Sequence, residues 1–304
     1  MRSAAAFPVL GSFLLAVTLS ADSSVNLRPV AGGYLLVPVV LNGTGPFEFL
    51  LDTGTTTTFL DPKLASQLAL PMGRSETLVS LAAETRANRV RVESLRLESW
   101  EVRDVDLLAA DLGAVRQLDP DVRGVLGNDI LGQRSFLLSN ASKRIEIDLD
   151  GSLSRRITGR EVPLRTVKGT RVVEVGISGV ARPFLLIPDS ACLQVVLFER
   201  LRGEFREIDG GGSAALLQTA LGTKRTSLRR LSRLRFAGGD LRNLDVVVLQ
   251  EPAAFADRAE DGLLPTSLFR EVFFDRDRGL LVLDPRAVGA PEGLSASFRR
   301  RGPS

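Results

Sequence analysis

Two aspartates in matching surroundings are the residues of this chain best suited to chemistry. Asp52 follows the apolar run 47–51, Asp189 follows the apolar run 184–188, and a Pro-Phe pair lies equally far before each aspartate. A carboxylate at the end of an apolar strand is unfavourable in free energy unless its surroundings pair it or hydrogen-bond to it. Two carboxylates brought close together share one proton, so the ionised member can act as a base on water while the protonated member polarises a carbonyl group.

The residues that the chain lacks narrow the chemistry further. Its 304 residues include no histidine and one cysteine, Cys192. Ser-His-Asp and Cys-His sites, histidine-ligated zinc and an intrachain disulfide are therefore excluded. There is no Walker-type phosphate loop, so acid–base chemistry must come from Asp, Glu, Lys or the single tyrosine, Tyr34. We expect no cofactor and no metal. The formal net charge of +3 gives no indication of a nucleic-acid partner.

The N-terminal segment, residues 1–21, has the pattern of an export signal. Arg2 supplies a positive charge, residues 7–19 form a short apolar stretch, and small residues that suit cleavage end at Ala21. The apolar stretch is too short and too interrupted for a spanning helix, although an uncleaved anchor is the alternative interpretation. We therefore predict a protein that is exported to the periplasm or secreted, without stable membrane insertion after cleavage.

The sequence contains an internal duplication. Asp189 follows Asp52 at an offset of 137 in the numbering (189 − 52), and three other pairs of segments keep offsets between 136 and 139. These pairs are Val102–Asp106 with Leu241–Asp245, Gly124–Leu126 with Gly262–Leu264, and Ile145–Asp148 with Leu281–Asp284. The duplication predicts two lobes, at residues 26–150 and 160–286, with a polar connector between them. The residues 287–304 are rich in Gly, Pro and Arg and predict a disordered tail.

The elements that must position the aspartates are mostly strands, which indicates an all-β fold. The runs 34–41 and 47–51 predict strands joined by a hairpin at 42–45. The alternation of residues 90–97 predicts a half-buried strand, and 61–68 predicts a short helix capped by Asp61. The second copy repeats the strand pattern at residues 172–177, 184–187 and 197–201.

The first aspartate lies in Asp52-Thr53-Gly54, and the segment Gly124-Val125-Leu126-Gly127-Asn128-Asp129-Ile130-Leu131 begins at an offset of 72 from it (124 − 52). This pair of motifs, in this order, resembles the retropepsin-like aspartic proteases. The chain looks like a bacterial single-chain version, in which two such lobes are fused as in the pepsin-like enzymes. The resemblance implies a bilobal acid-protease fold with two β-barrel lobes and a cleft between them. It also implies an aspartic endopeptidase that hydrolyses extended peptides with Asp52 and Asp189. Together with the export signal, this predicts an exported, monomeric enzyme.

The resemblance also implies roles for the residues that follow each aspartate. The Thr53 and Ser190 hydroxyls take the positions of cross-lobe hydrogen bonds that lock the two loops together. The Thr55 hydroxyl is expected to donate to the Asp52 carboxylate, whereas Cys192 offers a weaker donor to Asp189. The support residues of the two loops are Thr53, Gly54, Thr55, Ser190, Ala191 and Cys192.

The second loop departs from the family pattern. Ala191 stands where the family has glycine, a residue without a Cβ atom that lets the backbone approach its neighbours more closely. Cys192 stands where the first loop has the hydroxyl-bearing Thr55. We expect an unequal pair, with Asp52 ionised and Asp189 the more readily protonated member. Cys192 is interpreted as a small buried residue without thiolate reactivity.

A substrate cleft in this family is covered by a hairpin, called a flap, that follows the first aspartate loop. The corresponding segments are small and apolar, as contact with an extended peptide backbone requires. The predicted flap residues are Leu81, Ala82, Ala83, Thr219 and Ala220.

Two other interpretations remain open at this point. The departures at Ala191 and Cys192 are compatible with a catalytically impaired protein that binds peptides or proteins. Alternatively, the second lobe is purely structural and two chains pair through their first lobes. The duplication argues against this pairing, because the second lobe already supplies the partner surface.

Overall fold

The computed structural model describes residues 23–199, 212–219, 221–250 and 257–287. The predicted signal peptide, Ala220 and the residues after Ala287 lie outside the described residues. Ala287, the first residue of the predicted tail, ends the last strand and pairs with Ile157. The described helices include none that is long and apolar enough to cross a membrane.

Strands dominate both halves of the chain. Those of the first half are Ser23–Asn26 (β1), Arg28–Pro29 (β2), Leu35–Leu41 (β3), Thr44–Leu51 (β4), Phe59–Leu60 (β5), Met72–Val79 (β6), Glu84–Leu97 (β7), Trp100–Ala109 (β8), Val122–Leu126 (β9), Phe136–Ser139 (β10) and Arg144–Ile147 (β11).

The second half repeats this succession of strands. They are Ile157–Pro163 (β12), Arg165–Val167 (β13), Thr170–Ile177 (β14), Phe184–Asp189 (β15), Val195–Phe198 (β16), Ser213–Thr219 (β17), Gly222–Phe236 (β18), Gly239–Leu249 (β19), Gly262–Pro265 (β20), Glu271–Asp275 (β21) and Leu280–Ala287 (β22). The α-helices of the described residues are Pro62–Gln67 (α1), Asn128–Leu131 (α2) and Ser152–Arg156 (α3).

The two halves build eight-stranded sheets with the same order of strands. The order β2-β3-β4-β9-β5-β8-β7-β6 in one sheet recurs as β13-β14-β15-β20-β16-β19-β18-β17 in the other. Additional pairings of β3 with β7 and of β14 with β18 close each sheet towards a barrel. We call the first sheet and its loops the first lobe, and the second sheet and its loops the second lobe. The duplication in the sequence is thus a duplication of topology.

A third sheet of six strands joins the lobes. Its order is β1-β11-β10-β21-β22-β12, so that strands of the first half pair directly with strands of the second half. Phe136 on β10 stacks on its cross-strand partner Phe274 on β21 with ring centroids 4.5 Å apart. The helix α3 forms within the predicted polar connector, and β12 follows it directly.

Local sequence accounts for several of these elements. Asn42 and Gly43 both adopt positive φ, as the tight turn between β3 and β4 requires. Asp61 caps α1 by accepting a hydrogen bond from the Lys63 backbone N–H, and Pro62 occupies the first helical position. The helix predicted at 61–68 is confirmed.

The apolar residues form one main core and two smaller clusters that matter for the site. The main core is continuous from Phe49 in the first lobe through Phe136 and Phe274 to Phe184 in the second lobe. The smaller clusters flank the space between the lobes. The first-lobe wall consists of Tyr34, Leu36, Leu50, Phe59, Ala87, Leu108, Ala110, Leu112, Val115, Val122 and Val125. The second-lobe wall consists of Val172, Ile187, Cys192, Val196, Phe198, Leu217, Val247, Leu249 and Leu263.

Candidate active site

The two aspartates lie at equivalent strand ends and face each other. Asp52 follows β4, which pairs in parallel with β9, and Asp189 ends β15, which pairs in parallel with β20. Their carboxyl groups hydrogen-bond to one another. Asp189 is 6% exposed, and Asp52 is half-buried. The structure therefore brings together two carboxyl groups that belong to different halves of the chain.

Four reciprocal hydrogen bonds hold the aspartate loops against each other. The Thr53 backbone N–H donates to Ser190 Oγ, and the Ser190 backbone N–H donates to Thr53 Oγ1, both at 3.0 Å. Each hydroxyl in turn donates to a carbonyl oxygen of the opposite lobe, Thr53 to Pro188 and Ser190 to Leu51, both at 2.8 Å. All four bonds are buried, so the lobes are fixed to each other directly beside the carboxyl groups.

Replacement of Ser190 by alanine is expected to lower the free energy of unfolding by about 2–4 kcal/mol. The variant removes the acceptor of the Thr53 N–H and the donor to the Leu51 carbonyl, and each group is then left buried without its partner. Urea unfolding of purified protein measures the change. The exposed Ser66→Ala in α1 is the matched control, since its hydroxyl bonds only within the helix. A loss below about 1 kcal/mol for Ser190→Ala would contradict the structural role.

Backbone N–H groups orient each carboxylate. Gly54 and Thr55 donate to Asp52 Oδ1 at 2.9 and 3.0 Å, and Ala191 donates to Asp189 Oδ1 at 2.7 Å. The Cys192 backbone N–H also bonds to the Asp189 carboxylate. The second loop thus retains the backbone donors of the first, although its sequence departs from the family pattern.

The surroundings raise the pKa of both carboxyl groups, and unequally. Burial raises the pKa of Asp52 to about 6, against the lowering effect of the hydrogen bonds from Gly54 and Thr55. Burial and then the charge of Asp52 raise the pKa of Asp189 well above its usual range. These shifts favour one proton shared by the two carboxyl groups, which titrate as a unit.

The Thr55 hydroxyl and the Cys192 thiol do not hydrogen-bond to the carboxylates, contrary to what the family resemblance implied. Thr55 Oγ1 donates to the Thr57 carbonyl at 3.3 Å, and Cys192 Sγ donates to the Gln194 carbonyl at 2.7 Å. Hydroxyl and thiol close the same local turn in the two lobes. The expected donation from the Thr55 hydroxyl to Asp52 is wrong, because this hydroxyl donates to the Thr57 carbonyl and only the Thr55 backbone N–H bonds to Asp52 Oδ1. A weak thiol donor therefore does not explain the unequal pair.

Gly54 and Ala191 are equivalent in sequence but differ in their surroundings. A Cβ atom on Gly54 would lie 2.5 Å from both Cγ and Oδ2 of Asp189. Such a contact is too short for any side chain, so glycine is required there. Ala191, in contrast, packs against the first-lobe wall. The second loop therefore tolerates the methyl group that the first loop excludes.

The carboxyl groups lie in a cleft with a cavity of about 300 Å³ that is bounded by the two apolar walls. Tyr34 lines this cleft from the first-lobe wall and is 8% exposed. Burial raises the pKa of the Tyr34 hydroxyl to about 12, and the neighbouring acidic groups of Cys192, Asp189 and Asp52 add to the effect. The hydroxyl therefore remains protonated near the aspartates.

The segment after β9 supports the first aspartate loop through side-chain hydrogen bonds. The Asn128 side-chain amide donates to the Thr53 carbonyl oxygen. The Asp129 carboxylate accepts hydrogen bonds from the Thr58 backbone N–H at 2.8 Å and from its hydroxyl at 2.6 Å. Burial raises the pKa of Asp129, against the lowering effect of the bonds from Thr58. These contacts explain physically why the motif at residues 124–131 accompanies the first aspartate loop.

Two hairpins cover the cleft. The first flap, residues 72–97, turns at 80–83, so it carries the predicted residues Leu81, Ala82 and Ala83 at its tip. The second flap, residues 213–236, carries Thr219 beside its turn, whereas Ala220 lies outside the described residues. Leu81 packs against the second-lobe wall, and Leu221 packs against the first-lobe wall.

The family model described as "Aspartyl protease" matches residues 37–130, which make up most of the first lobe and its aspartate loop. The first lobe therefore resembles the proteins of this aspartyl protease family. No curated protein matches the sequence.

The fold of the whole chain is also that of an aspartic proteinase. The crystal structure of the aspartic proteinase from Irpex lacteus superimposes with a TM-score of 0.52 at 13% sequence identity. The match covers 86% of this chain and 97% of that chain. The predicted all-β, bilobal acid-protease fold is thus confirmed.

Sequence reasoning missed three residues that the structure places at or near the cleft. Tyr34 was recognised only as the single tyrosine of the chain. Asn128 lay inside the second motif without a role, and Gln218 lay inside the predicted second flap without a role. Each of these three residues interacts with residues that are distant in the chain. A local sequence pattern gives no signal for such interactions. The described Cys, Asp and Glu residues form no group that could hold a metal ion.

Proposed function

We propose that this protein is an exported aspartic endopeptidase, which hydrolyses internal peptide bonds of extended polypeptides with Asp52 and Asp189. The observation that carries the proposal is the hydrogen-bonded contact between the two carboxyl groups at the base of a covered cleft. The family of the first lobe and the fold of the chain are those of proteases. Export rests on the sequence pattern of residues 1–21.

The proposed reaction uses one proton shared by the pair. Ionised Asp52 takes a proton from a water molecule as its oxygen bonds to the scissile carbonyl carbon. Protonated Asp189 gives its proton to the carbonyl oxygen, which leaves a neutral tetrahedral diol. Transfer of a proton to the peptide nitrogen and cleavage of the C–N bond then release a carboxylic acid and an amine. Neither a covalent intermediate nor a cofactor takes part.

The walls of the cleft indicate the form of the substrate. Apolar residues of both lobes flank the carboxyl groups, and the flaps lie above them. A chain lying between flap and floor must be extended, so that its main chain contacts the flaps and its side chains enter the walls. An unfolded protein segment with apolar residues around the cleaved bond meets these requirements.

The pH dependence of cleavage provides the test of this function. Asp52 must be ionised, so kcat/KM is expected to rise as the pH increases through about 6, the pKa of this group. It is expected to fall at higher pH, where the proton on Asp189 is lost. Cleavage of an unfolded protein across a pH series from acid to mildly alkaline, with products mapped by mass spectrometry, measures both limbs.

Three outcomes of this experiment are informative. Internal cleavage sites with a maximum at or above about pH 6 support an endopeptidase with the proton distribution described. Internal cleavage that is fastest in strong acid and weak near neutrality would contradict that distribution. Complete absence of cleavage, combined with tight binding of peptides, would favour the binding protein. The structure favours the enzyme over that alternative, because Ala191 and Cys192 still donate backbone hydrogen bonds to Asp189.

A further inference from the structure

The tips of the two flaps meet above the aspartates. Ser80 Oγ and Thr219 Oγ1 lie 3.4 Å apart, within hydrogen-bond distance. A Cβ atom on Gly222 would lie only 3.1 Å from that of Ala83. Because the flaps touch, a polypeptide can reach the carboxyl groups from above only when at least one flap moves away.

Ser80 and Thr219 occupy equivalent positions in the two flaps. The Ser80 backbone N–H and hydroxyl donate to the Ala83 carbonyl at 2.8 and 3.1 Å. The Thr219 hydroxyl donates to the Gly222 carbonyl at 3.0 Å. Each residue therefore closes its own turn onto the carbonyl of the residue three positions later. It follows that the preceding residues, Val79 and Gln218, are also equivalent.

Val79 and Gln218 differ in what they can bond. Gln218 Nε2 donates to the Ala114 carbonyl of the first lobe at 3.1 Å. Gln218 Oε1 accepts a hydrogen bond from the Thr223 hydroxyl at 2.9 Å, which orients the amide towards Ala114. Val79 has no polar side-chain atom, so its position cannot make a corresponding bond. Gln218 thus ties the second flap to the opposite lobe, and the first flap has no such bond at this position.

We infer that the two flaps open unequally. Gln218 holds the second flap against the first lobe, and polypeptides enter by movement of the first flap. Opening the first flap separates the Ser80–Thr219 contact and withdraws Leu81 from the second-lobe wall. Opening the second flap separates that same contact, withdraws Leu221, and must also break the bond from Gln218. One net hydrogen bond shifts such an opening equilibrium about two- to tenfold.

Gln218 is accordingly a positioning residue, which acts on a bound polypeptide through the second flap. With this flap held in place, one side of the groove above the carboxyl groups is formed before binding. Less ordering then remains to be done when a chain enters, which favours affinity. The two flaps of the duplicated fold therefore serve different purposes, one as a fixed side of the groove and one as its gate.

Amide hydrogen exchange of the free full-length protein tests this inference. Amides of the first flap near residues 76–85 are expected to exchange about two- to tenfold faster than equivalent amides near residues 215–224. Gln218→Val, which copies Val79, is expected to raise exchange in the second flap by the same factor and to leave the strands of the six-stranded sheet unchanged. Equal exchange of the two flaps in the wild type would overturn the inference.

Control variants separate the effect of the Gln218 bond from general destabilisation. Gln67→Val makes the same chemical change in an exposed position at the end of α1 and is expected to leave both flaps unchanged. Thr223→Val retains Gln218 but removes the bond that orients it, so an intermediate increase is expected. No increase in the second flap for Gln218→Val would overturn the assignment to this residue.

A kinetic measurement distinguishes positioning from catalysis. For Gln218→Val, KM is expected to rise about two- to tenfold while kcat changes less than about twofold. A decrease of about two- to tenfold in kcat with an unchanged KM would contradict the positioning role. Because hydrogen exchange reports flap opening and not hydrolysis, the inference can fail or succeed independently of the proposed function.

Discussion

Asparagine at either Asp52 or Asp189 is expected to lower kcat/KM by about 10³-fold or more without unfolding the protein. An amide can neither take a proton from water nor hold the shared proton, so each variant lacks one of the two required groups. The amide oxygen still accepts the backbone hydrogen bonds that orient each carboxylate now. The amide nitrogen can donate to the remaining carboxylate. Steady-state cleavage of a peptide substrate and thermal unfolding measure the two effects.

The control for these variants is the same chemical change on the surface. Asp104 is an exposed residue whose side chain is 74% accessible, and Asp104→Asn is expected to leave activity within about twofold of the wild type. Loss of activity in both active-site variants supports a working pair. Loss of activity with Asp52→Asn alone would contradict a catalytic role for Asp189. It would favour the alternative in which two chains pair through their first lobes.

Gly54→Ala is expected to lower kcat/KM by about 100-fold or more, whereas the reciprocal change Ala191→Gly is expected to stay within about threefold. The new Cβ on residue 54 would lie 2.5 Å from the Asp189 carboxyl group, so the pair must separate or the loop must shift. A displacement of about 1 Å in a catalytic group is sufficient for a loss of this size. Ala191→Gly only removes a methyl group that packs against the first-lobe wall.

The two glycine–alanine variants control for one another, because they make opposite changes at positions equivalent in the duplication. Measurement of kcat/KM is combined with urea unfolding, so that lost activity is not mistaken for lost folding. Ala191→Gly is expected to lower the free energy of unfolding by about 1 kcal/mol, through backbone freedom and the lost contact. Folded Gly54→Ala protein with activity within about tenfold of the wild type would show that the loops can accommodate a Cβ there.

The unequal requirements at residues 54 and 191 show how the duplicated halves have diverged. The cross-lobe bonds of Thr53 and Ser190 are symmetrical, and so are the local turns closed by Thr55 and Cys192. The asymmetry lies in what surrounds these loops. One carboxyl group has a higher pKa than the other, and one flap carries a hydrogen bond to the opposite lobe. A single chain can thus specialise two sites that identical subunits must keep alike.

Much of the fold followed from local patterns and from the duplication. The turn at Asn42 and the cap at Asp61 depend on neighbouring residues, whose preferences are visible in the sequence. Equal sheet order in the two lobes follows from equal order of segments. The six-stranded sheet could not be anticipated in this way. It pairs β10 with β21, which lie in different halves of the chain, and no local pattern specifies that register.

The sequence by itself determined which residues could form an acid–base pair, since Asp52 and Asp189 end equivalent strands and no histidine competes with them. Only the tertiary structure decided how these carboxyl groups differ and what holds them. Their pKa values depend on burial, and the bond from Gln218 depends on where Ala114 lies. Burial and contacts between distant segments arise from the packing of the whole chain, so they cannot be read from neighbouring residues.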